Sequence, residues 1–388
     1  MKVILNIQSV TYPLTGIGRY VYELGGALAR SGRLDDLVLW SGHGPCLAWP
    51  EPGALERPRL SARLARCLKG VLKKWPIALS ALHGLNLKLT AGGLKNYPDH
   101  LYHGPNYYLP PGPGLKVATA HDLSTEALPE CHPAYRRRLM SITLANMRQR
   151  ADYLLTISEF SRREIIDRLS WPLERVRAVP LAASGIFRPR TTEEVRPVLA
   201  GLGLRPQGYG LFVGTVEPRK NIGLLLRAYE SLPEKLRLSF PLVIAGAPGW
   251  LSQDLHRKLT ELSGRGWLLY LNFLPSEKLP LVMAGAALFL YPSLYEGFGL
   301  PPLEAMSSGV PVLVSDRASL PEVVGEAAPC LPALDETIWR EAIRRGLEDV
   351  EWRRAATQAG LTQADKFSWD RCAAETLAAY EEAVRLRN

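Results

Sequence analysis

Short apolar runs alternate with amphipathic helical patterns along most of the chain. Short, uninterrupted apolar runs are typical of strands buried on both faces, and apolar residues three or four positions apart are typical of helices. The alternation predicts a parallel sheet with helices on both faces, a doubly wound α/β structure. The predicted strands of the first half are Val3 to Ile7, Leu37 to Trp40, Leu101 to His103, Lys116 to Ala120, Tyr153 to Ile157 and Val176 to Val179.

A second series of the same kind follows a charged, proline-containing stretch, Ser184 to Thr192, which we interpret as a linker. Its predicted strands are Tyr209 to Val213, Leu242 to Ala245, Trp267 to Leu271, Leu288 to Tyr291 and Val310 to Val314. A length of 388 residues suits two domains. We therefore predict α/β domains over residues 1–185 and 186–368, and a terminal helix over residues 369–388 with Ser368 as its cap.

The composition is that of an ordinary globular protein, with 47% hydrophobic and 22% charged residues. The five cysteines are scattered and form neither a disulfide framework nor a metal-ligand spacing, which favours the reducing cytoplasm. The first residues read as a short strand, and no signal peptide or membrane-spanning segment is predicted.

The net charge of +9 is concentrated between Arg57 and Pro98, a stretch with nine basic and no acidic residues. Apolar residues recur among these bases at helical spacing, which predicts an amphipathic cationic helix. An anionic membrane surface or a phosphorylated acceptor would suit it, and a solvated helix lying on the domain is the alternative. No nucleic-acid-binding motif is present, so nucleic acid is not an expected partner. The bases assigned to membrane contact are Arg57, Arg59, Arg63, Arg66, Lys69, Lys73 and Lys74.

Two carboxylates eight residues apart, Glu296 and Glu304, flank the sequence Gly-Phe-Gly-Leu-Pro between a buried strand and a helix start. Ligands bind outside the carboxyl ends of parallel strands, where glycines let backbone amides approach. Because carboxylates accept hydrogen bonds from hydroxyl groups, the pair suits a ligand such as a nucleotide sugar. The alternative is one turn residue and one solvated helix residue.

Two adjacent cations, Arg219 and Lys220, lie where another strand gives way to a helix. A nucleotide diphosphate leaving group gains negative charge as its bond to a sugar breaks, and fixed cations stabilise that charge. In the first half, Gly16 and Gly18 lie between the first strand and first long helix. They do not match a dinucleotide-binding turn, because Val21 occupies the third glycine position.

Glu296-x7-Glu304, the run Glu-Pro-Arg-Lys-Asn at 217–221 and the pair His121-Asp122 together resemble retaining glycosyltransferase family 4. The resemblance implies the GT-B fold, with two Rossmann-like domains facing each other across a cleft and the terminal helix packed on the first domain. It implies a nucleotide-sugar donor and no cofactor. The absence of Asp-x-Asp leads us to expect metal independence, with the two cations replacing a divalent ion.

Roles follow from the resemblance residue by residue. The expected catalytic residues are His121, Asp122, Arg219, Lys220 and Glu296. The expected donor-binding residues are Gly16, Gly18, Gly214, Thr215, Asn272, Phe273, Leu274, Ser293, Gly297, Phe298, Gly299, Leu300 and Glu304. No residue stands out as a covalent nucleophile, so we favour same-face displacement, in which the leaving phosphate oxygen takes the proton of the acceptor.

Three further stretches resemble bacterial mannosyl- and rhamnosyltransferases that build surface polysaccharides: 214–221, 245–250 and 319–323. This favours transfer of mannose, or of a deoxyhexose such as rhamnose, with GDP-mannose as the first choice of donor. The expected acceptor is a lipid-linked glycan of lipopolysaccharide, O-antigen or exopolysaccharide synthesis, reached from the cytoplasm or the inner membrane face. The alternatives are a UDP-sugar transferase, a sugar-nucleotide epimerase or phosphorylase, and a non-enzymatic binder.

Overall fold

The computed structural model describes residues 1–387 except 13, 15, 43, 47, 50–83, 85, 86 and 273. Contacts divide the chain into two compact units. The first unit contains Met1–Glu126, Pro133–Leu181 and Trp369–Asn388, and the second contains Ala127–His132 and Ala182–Ser368. Most of the basic segment, including all seven bases assigned to membrane contact, lies outside the described residues. Among the described residues, no helix is both long and apolar enough to span a bilayer.

The first unit is built on a parallel sheet with one short antiparallel edge strand. Among the described residues its strand order is β3-β2-β1-β4-β5-β6-β7. The strands are β1 Lys2–Asn6, β2 Asp36–Trp40, β3 Pro45–Cys46, β4 Leu101–Gly104, β5 Lys116–Ala120, β6 Tyr153–Thr156 and β7 Val176–Ala178. The helices are α1 Gly16–Arg30, α2 Ser124–Ala127, α3 Ala134–Arg150, α4 Glu159–Leu169 and the terminal α14 Trp369–Arg387; residues 87–94 are also helical.

The second unit repeats the architecture, with the described strand order β10-β9-β8-β11-β12-β13, all parallel. The strands are β8 Gly210–Val213, β9 Leu242–Ala245, β10 Leu268–Leu271, β11 Leu288–Tyr291, β12 Val312–Ser315 and β13 Cys330–Leu331. The helices are α5 Thr192–Ala200, α6 Ile222–Glu230, α7 Glu234–Ser239, α8 Gln253–Ser263, α9 Leu279–Ala284, α10 Leu300–Ser307, α11 Leu320–Val324, α12 Glu336–Glu348 and α13 Val350–Ala364.

The central strands of both sheets are buried along most of their length. Every residue of β5, β9 and β11 is buried. For β9 and β11 this matches the uninterrupted apolar runs of the sequence, whereas β5 also buries Lys116 and Thr119. The α/β prediction and the predicted strands are confirmed, with ends that differ by no more than a few residues. The edge strands β3 and β13 are two residues long and were not predicted, because so short a run carries no periodic signal.

The terminal helix α14 packs on the first unit. Arg30 and Arg33, at and just beyond the end of α1, form ion pairs with Asp370 and Glu381 of α14 at 3.3 and 2.9 Å. The Tyr380 hydroxyl of α14 lies 2.6 Å from Nδ1 of His103 in β4. The helix therefore completes the buried face of the first sheet.

Candidate active site

The candidate site of the second unit lies where the strand order reverses, at the carboxyl ends of β8 and β11. Such a switch point is the usual ligand position in open parallel sheets, because the loops from the two strands diverge there. Residues 214–221 follow β8 and residues 292–299 follow β11. Both sequence motifs of the second half therefore reach the same edge of one sheet.

The loop after β8 is shaped so that two cationic side chains are fixed beside the loop after β11. Residues Pro218–Lys220 form one 3-10 turn, and Asn221 then adopts a left-handed conformation with φ of 54° before α6 begins. The Asn221 amide donates to the carbonyl oxygens of Pro292 and Ala333 at 3.2 and 2.7 Å. These bonds tie the loop of Arg219 and Lys220, the cation pair, to the segments that follow β11 and β13.

Glu296 bridges the cation pair. Its Oε1 accepts a hydrogen bond from Lys220 Nζ at 2.5 Å, and its Oε2 accepts one from Arg219 Nη1 at 3.0 Å. Ser293 Oγ also donates to Oε1 at 2.5 Å. Lys220 Nζ in turn donates to the Tyr291 hydroxyl at 2.7 Å. The side chains that the two motifs contribute are therefore in direct contact.

Burial and charge oppose each other in this cluster. Burial by itself raises the pKa of Glu296, but the charges of Arg219 and Lys220, with the hydrogen bonds from Lys220 and Ser293, lower it to about 2. The pKa of Lys220 is lowered by burial and by the charge of Arg219, against the attraction of Glu296. Glu296 is thus an anion at neutral pH and offsets the charge of the cation pair.

A second carboxylate, Glu217, supports the cation pair and was not singled out from the sequence. It is buried, and its Oε1 lies 2.5 Å from Arg219 Nε. Arg219 Nη1 also donates to the carbonyl oxygen of Tyr295 at 2.8 Å, so three groups orient the guanidinium. The position of Glu217, two residues before Arg219, was the sequence signal that could have identified it. With Glu296, it balances the two positive charges.

Glu304 lies in the first turns of α10, which begins at Leu300 with proline in its first turn, as predicted. The side chain is buried, which argues against the solvated-helix alternative. Gly299 precedes the helix at φ of 119°, a conformation that favours glycine. Ser319 Oγ donates to the carbonyl oxygens of Glu296 and Phe298 at 2.9 and 2.6 Å and fixes the turn.

Two glycines let the loops after β8 and β9 approach closely. A Cβ added at Gly246 would lie 1.8 Å from the carbonyl oxygen of Gly214. Gly214 itself has φ of 156°, a backbone conformation that residues with a side chain rarely adopt. A side chain at Gly246 would displace Gly214 and Thr215, which we expect to contact the donor.

The other expected donor-binding residues of the second half lie at the same edge of the second sheet. Thr215 and Asn272 are exposed after β8 and β10, and Leu274 and Leu300 are half-buried. Ser293, Gly297 and Phe298 are buried in the turn after β11. The ring of Phe298 packs edge-on against that of Phe367, with 5.8 Å between the ring centroids. The side chain of Phe298 is therefore a packing group, and its backbone is what could face a ligand. Phe273 lies outside the described residues.

In the first unit, His121 and Asp122 follow β5 directly, as predicted. Nε2 of His121 lies 2.8 Å from the carbonyl oxygen of Pro105, which can only accept, so Nε2 carries the proton and Nδ1 is the acceptor nitrogen. Burial lowers the pKa of His121, so the ring is neutral near pH 7. The Asp122 carboxylate accepts from the backbone N–H of Ser124 at 3.0 Å.

Gly16 and Gly18 are not in a loop, contrary to the expectation from the sequence. Both lie in the first turn of α1, which begins at Gly16. The sequence Gly-Ile-Gly was placed between the first strand and the first long helix, whereas it forms the start of that helix, where backbone N–H groups have no acceptor within the helix. These amides are a candidate contact for anionic groups.

A buried polar chain behind His121 was also missed. Thr119 Oγ1 lies 2.9 Å from the Tyr20 hydroxyl and 2.8 Å from His103 Nε2, and His103 Nδ1 lies 2.6 Å from the Tyr380 hydroxyl. Burial lowers the pKa of His103 to about 3, so its ring is neutral. The four residues lie on four different elements, and no local sequence pattern joins them.

Comparisons with known proteins agree with this geometry. Residues 206–362 match the family profile described as glycosyl transferases group 1. The chain is 41% identical to "O-antigen chain mannosyltransferase B" of Escherichia coli over 98% of this chain and 100% of the relative. It is 34% identical to "Serotype-specific mannosyltransferase WbdA" of Escherichia coli over 66% of this chain and 32% of that relative.

The fold is also that of solved glycosyltransferases. The structure of Anabaena Alr3699/HepE in complex with UDP and glucose matches 97% of this chain and 99% of that chain with a TM-score of 0.66 at 17% identity. At that identity the likeness shows the fold alone, and the fold is GT-B. A relative that is 41% identical along its whole length fixes the family of this chain. The chain belongs to the glycosyl transferases group 1 family and is a glycosyltransferase.

Proposed function

We propose that the protein transfers mannose from GDP-mannose to a growing lipid-linked glycan in O-antigen synthesis, with retention of anomeric configuration. The observation that carries the proposal is the full-length similarity to an O-antigen chain mannosyltransferase, in a chain whose two site motifs meet at the switch point. Rhamnose is the second choice of sugar, and lipopolysaccharide core or exopolysaccharide the second choice of product.

The cation pair is the part of the site suited to a nucleotide diphosphate. Arg219 offers a planar guanidinium and Lys220 a point charge, and both bind phosphate oxygens well. The cation pair would stabilise the negative charge that develops on the leaving diphosphate. For this reason we propose that the reaction needs no divalent metal. Glu296 and Glu304 would accept hydrogen bonds from hydroxyl groups of the sugar and the ribose.

The transfer itself is proposed as a same-face displacement. The bond between the anomeric carbon and the diphosphate oxygen breaks, and the acceptor oxygen bonds to the same face of that carbon. The departing phosphate oxygen takes the proton of the acceptor hydroxyl. The neutral His121, with Nδ1 as acceptor, is suited to hydrogen bonding a sugar hydroxyl rather than to carrying a permanent charge.

A UDP-sugar is the competing donor, since a solved neighbour of the same fold carries UDP and glucose. We also propose that the enzyme works from the cytoplasm at the inner membrane face. The bases between Arg57 and Lys74 would provide the membrane contact.

The test is an assay of the purified protein with GDP-mannose, UDP-glucose and a synthetic mannoside acceptor, with and without a chelator. Transfer from GDP-mannose that survives the chelator, with an α-linked product by NMR, is the expected result. Transfer from UDP-glucose alone would replace the donor assignment. Donor consumption without a new glycoside would contradict the transferase reaction proposed here.

Membrane contact is tested separately by sedimentation with vesicles that contain an anionic lipid. Neutralising the seven bases should release the protein from these vesicles but should leave transfer to a soluble acceptor unchanged. If the variant still sediments, the assigned membrane contact is wrong.

A further inference from the structure

The turn that follows β4 contacts both His121 and Asp122, which follow the neighbouring strand β5. The carbonyl oxygen of Pro105 accepts a hydrogen bond from His121 Nε2 at 2.8 Å. Two residues further on, the hydroxyl oxygen of Tyr107 lies 2.7 Å from the backbone nitrogen of Asp122 and 2.7 Å from its carbonyl oxygen. A single short turn therefore holds both members of the His-Asp pair.

The Tyr107 hydroxyl satisfies both backbone groups of Asp122. It donates its one proton to the carbonyl oxygen, and it accepts from the N–H of the same residue. Tyr107 is buried, so water does not readily replace the hydroxyl. Without the hydroxyl, the backbone of Asp122 would lose a partner for both groups and would have to shift to find others.

Tyr107 has a backbone conformation that tyrosine rarely adopts. Its φ is 62°, in the left-handed region. Its backbone N–H donates to the carbonyl oxygen of Thr119 in β5 at 3.1 Å. A strained conformation of this kind persists only where the surrounding structure fixes it, and such residues concentrate at functional sites. The contacts with β5 and with Asp122 provide that fixation.

The Tyr107 ring also packs against His121. The two ring centroids are 5.9 Å apart, and the ring planes meet at 65°. Tyr20, in α1, packs edge-on against the same imidazole with its centroid 5.2 Å away. Together with the hydrogen bond to Pro105, these two rings restrict the imidazole to one orientation, with Nδ1 as its acceptor nitrogen.

We propose that Tyr107 is a positioning residue for the transfer reaction, which acts through the backbone of Asp122 and the ring of His121. The inference rests on the proposed function, in which the neutral His121 hydrogen-bonds a sugar hydroxyl. A displacement of about 1 Å at a group of this kind can cost about 100-fold in rate. The Tyr107 hydroxyl therefore controls kcat through the two residues that it holds.

The test is Tyr107→Phe, which removes the hydroxyl and keeps the ring that packs in the core of the first unit. Tyr153→Phe is the matched control. Tyr153 is also buried, and its hydroxyl donates to Glu382 at 2.6 Å. It is the first residue of β6, so it lies at the amino end of the strand, away from the loops at the carboxyl ends.

Both variants should lower the urea midpoint of unfolding by a similar amount, because each loses one hydroxyl that is hydrogen-bonded in the folded protein. With GDP-mannose and a synthetic mannoside, only Tyr107→Phe should lower kcat, by about 10- to 100-fold, with the donor KM within about twofold of the wild type. A wild-type kcat in Tyr107→Phe, or an equal loss of kcat in Tyr153→Phe, would overturn the inference.

NMR of the ring nitrogens in protein labelled with ¹⁵N-histidine provides a readout that does not need turnover. The chain has seven histidines, and His121→Gln identifies the signals of His121. At neutral pH the two ring nitrogens of the wild type should have well-separated shifts, as one fixed tautomer requires. Tyr107→Phe should draw these shifts together, because a freer ring exchanges between tautomers, and Tyr153→Phe should leave them apart.

The spectra separate this inference from the proposed function. Unchanged His121 shifts in Tyr107→Phe would show that the hydroxyl does not position the ring, whether or not transfer from GDP-mannose is found. Altered shifts in a protein that transfers no sugar would support the contact and would count against the proposed function.

Discussion

Glu296 accepts a 2.5 Å hydrogen bond from Lys220, although the two residues lie 76 positions apart in the chain. The carboxylate therefore lies beside the cation, where the proposed function would have a diphosphate oxygen. Arg219 is held by the same carboxylate at 3.0 Å. A nucleotide diphosphate that binds the cation pair as proposed would compete with this internal anion.

Glu296→Gln should therefore bind free GDP more tightly, by several-fold to about tenfold, while transfer falls by at least about 100-fold. The neutral amide repels the diphosphate less and releases the cation pair, but it loses the carboxylate expected to bind the sugar. GDP affinity from calorimetry and transfer rates from the same preparation check this. Weaker GDP binding in the variant, with Glu326→Gln on the surface as control, would contradict the competition.

Lys220→Ala should lower kcat by roughly 10²–10³ and remove the thermal shift caused by GDP, since the lost charge acts on the leaving diphosphate. Glu217→Gln is the informative companion, because it leaves both cations present and removes the carboxylate that orients Arg219. We expect an intermediate loss of kcat for it. Equal, wild-type rates for both variants would show that the cation pair is not in the reaction path.

Gly246→Ala should destabilise the protein by about 1–3 kcal/mol and weaken nucleotide binding, because its Cβ would overlap the Gly214 carbonyl oxygen. Gly264→Ala is the matched control: it lies at the end of α8 with φ of −73°, and the nearest atom to its Cβ is 3.6 Å away. Urea unfolding and GDP titration measure the two effects. If both variants behave alike, the close approach of the loops is not required.

Acid should destabilise the protein partly through His103. Its pKa is lowered by burial to about 3, whereas a histidine in an unfolded chain titrates near about 6.5. Between these values the unfolded state binds the extra proton, so the free energy of unfolding falls as pH falls, by up to about 1.4 kcal/mol per pH unit. His103→Gln should flatten this slope between pH 6.5 and 4, and the two curves should run parallel above pH 7. An unchanged slope would show that the ring titrates normally.

Much of the architecture could be predicted from the sequence, because strands and turns are determined mainly by residues that are close together in the chain. Strands such as β9 and β11 are continuous apolar runs, and their predicted bounds match the observed ones. The turn before α10 could be predicted from glycine and proline, whose backbone preferences are strong.

Contacts between distant segments could not be predicted. The sequence motifs named Glu296 and Lys220 separately, with roles toward a ligand, but nothing local indicates that they bond to each other. In the chain of Tyr20, Thr119, His103 and Tyr380, the contact between His103 and Tyr380 alone joins residues 277 positions apart. Residues 127–132 were predicted in the first domain, yet they group with the second unit, where Trp250 Nε1 donates to the Cys131 carbonyl oxygen at 2.7 Å.

The interleaving of the two units limits how the gene can be divided. The described chain passes from one unit to the other after Glu126, His132, Leu181 and Ser368. A fragment that stops at residue 181 lacks α14, so Tyr20 and His103 would lose the cover and the hydroxyl partner that α14 provides. If the chain is divided after residue 181 and the two polypeptides are combined, activity should return only when the second carries residues 369–387. Split-protein complementation therefore tests whether the second fragment can supply the terminal helix to the first.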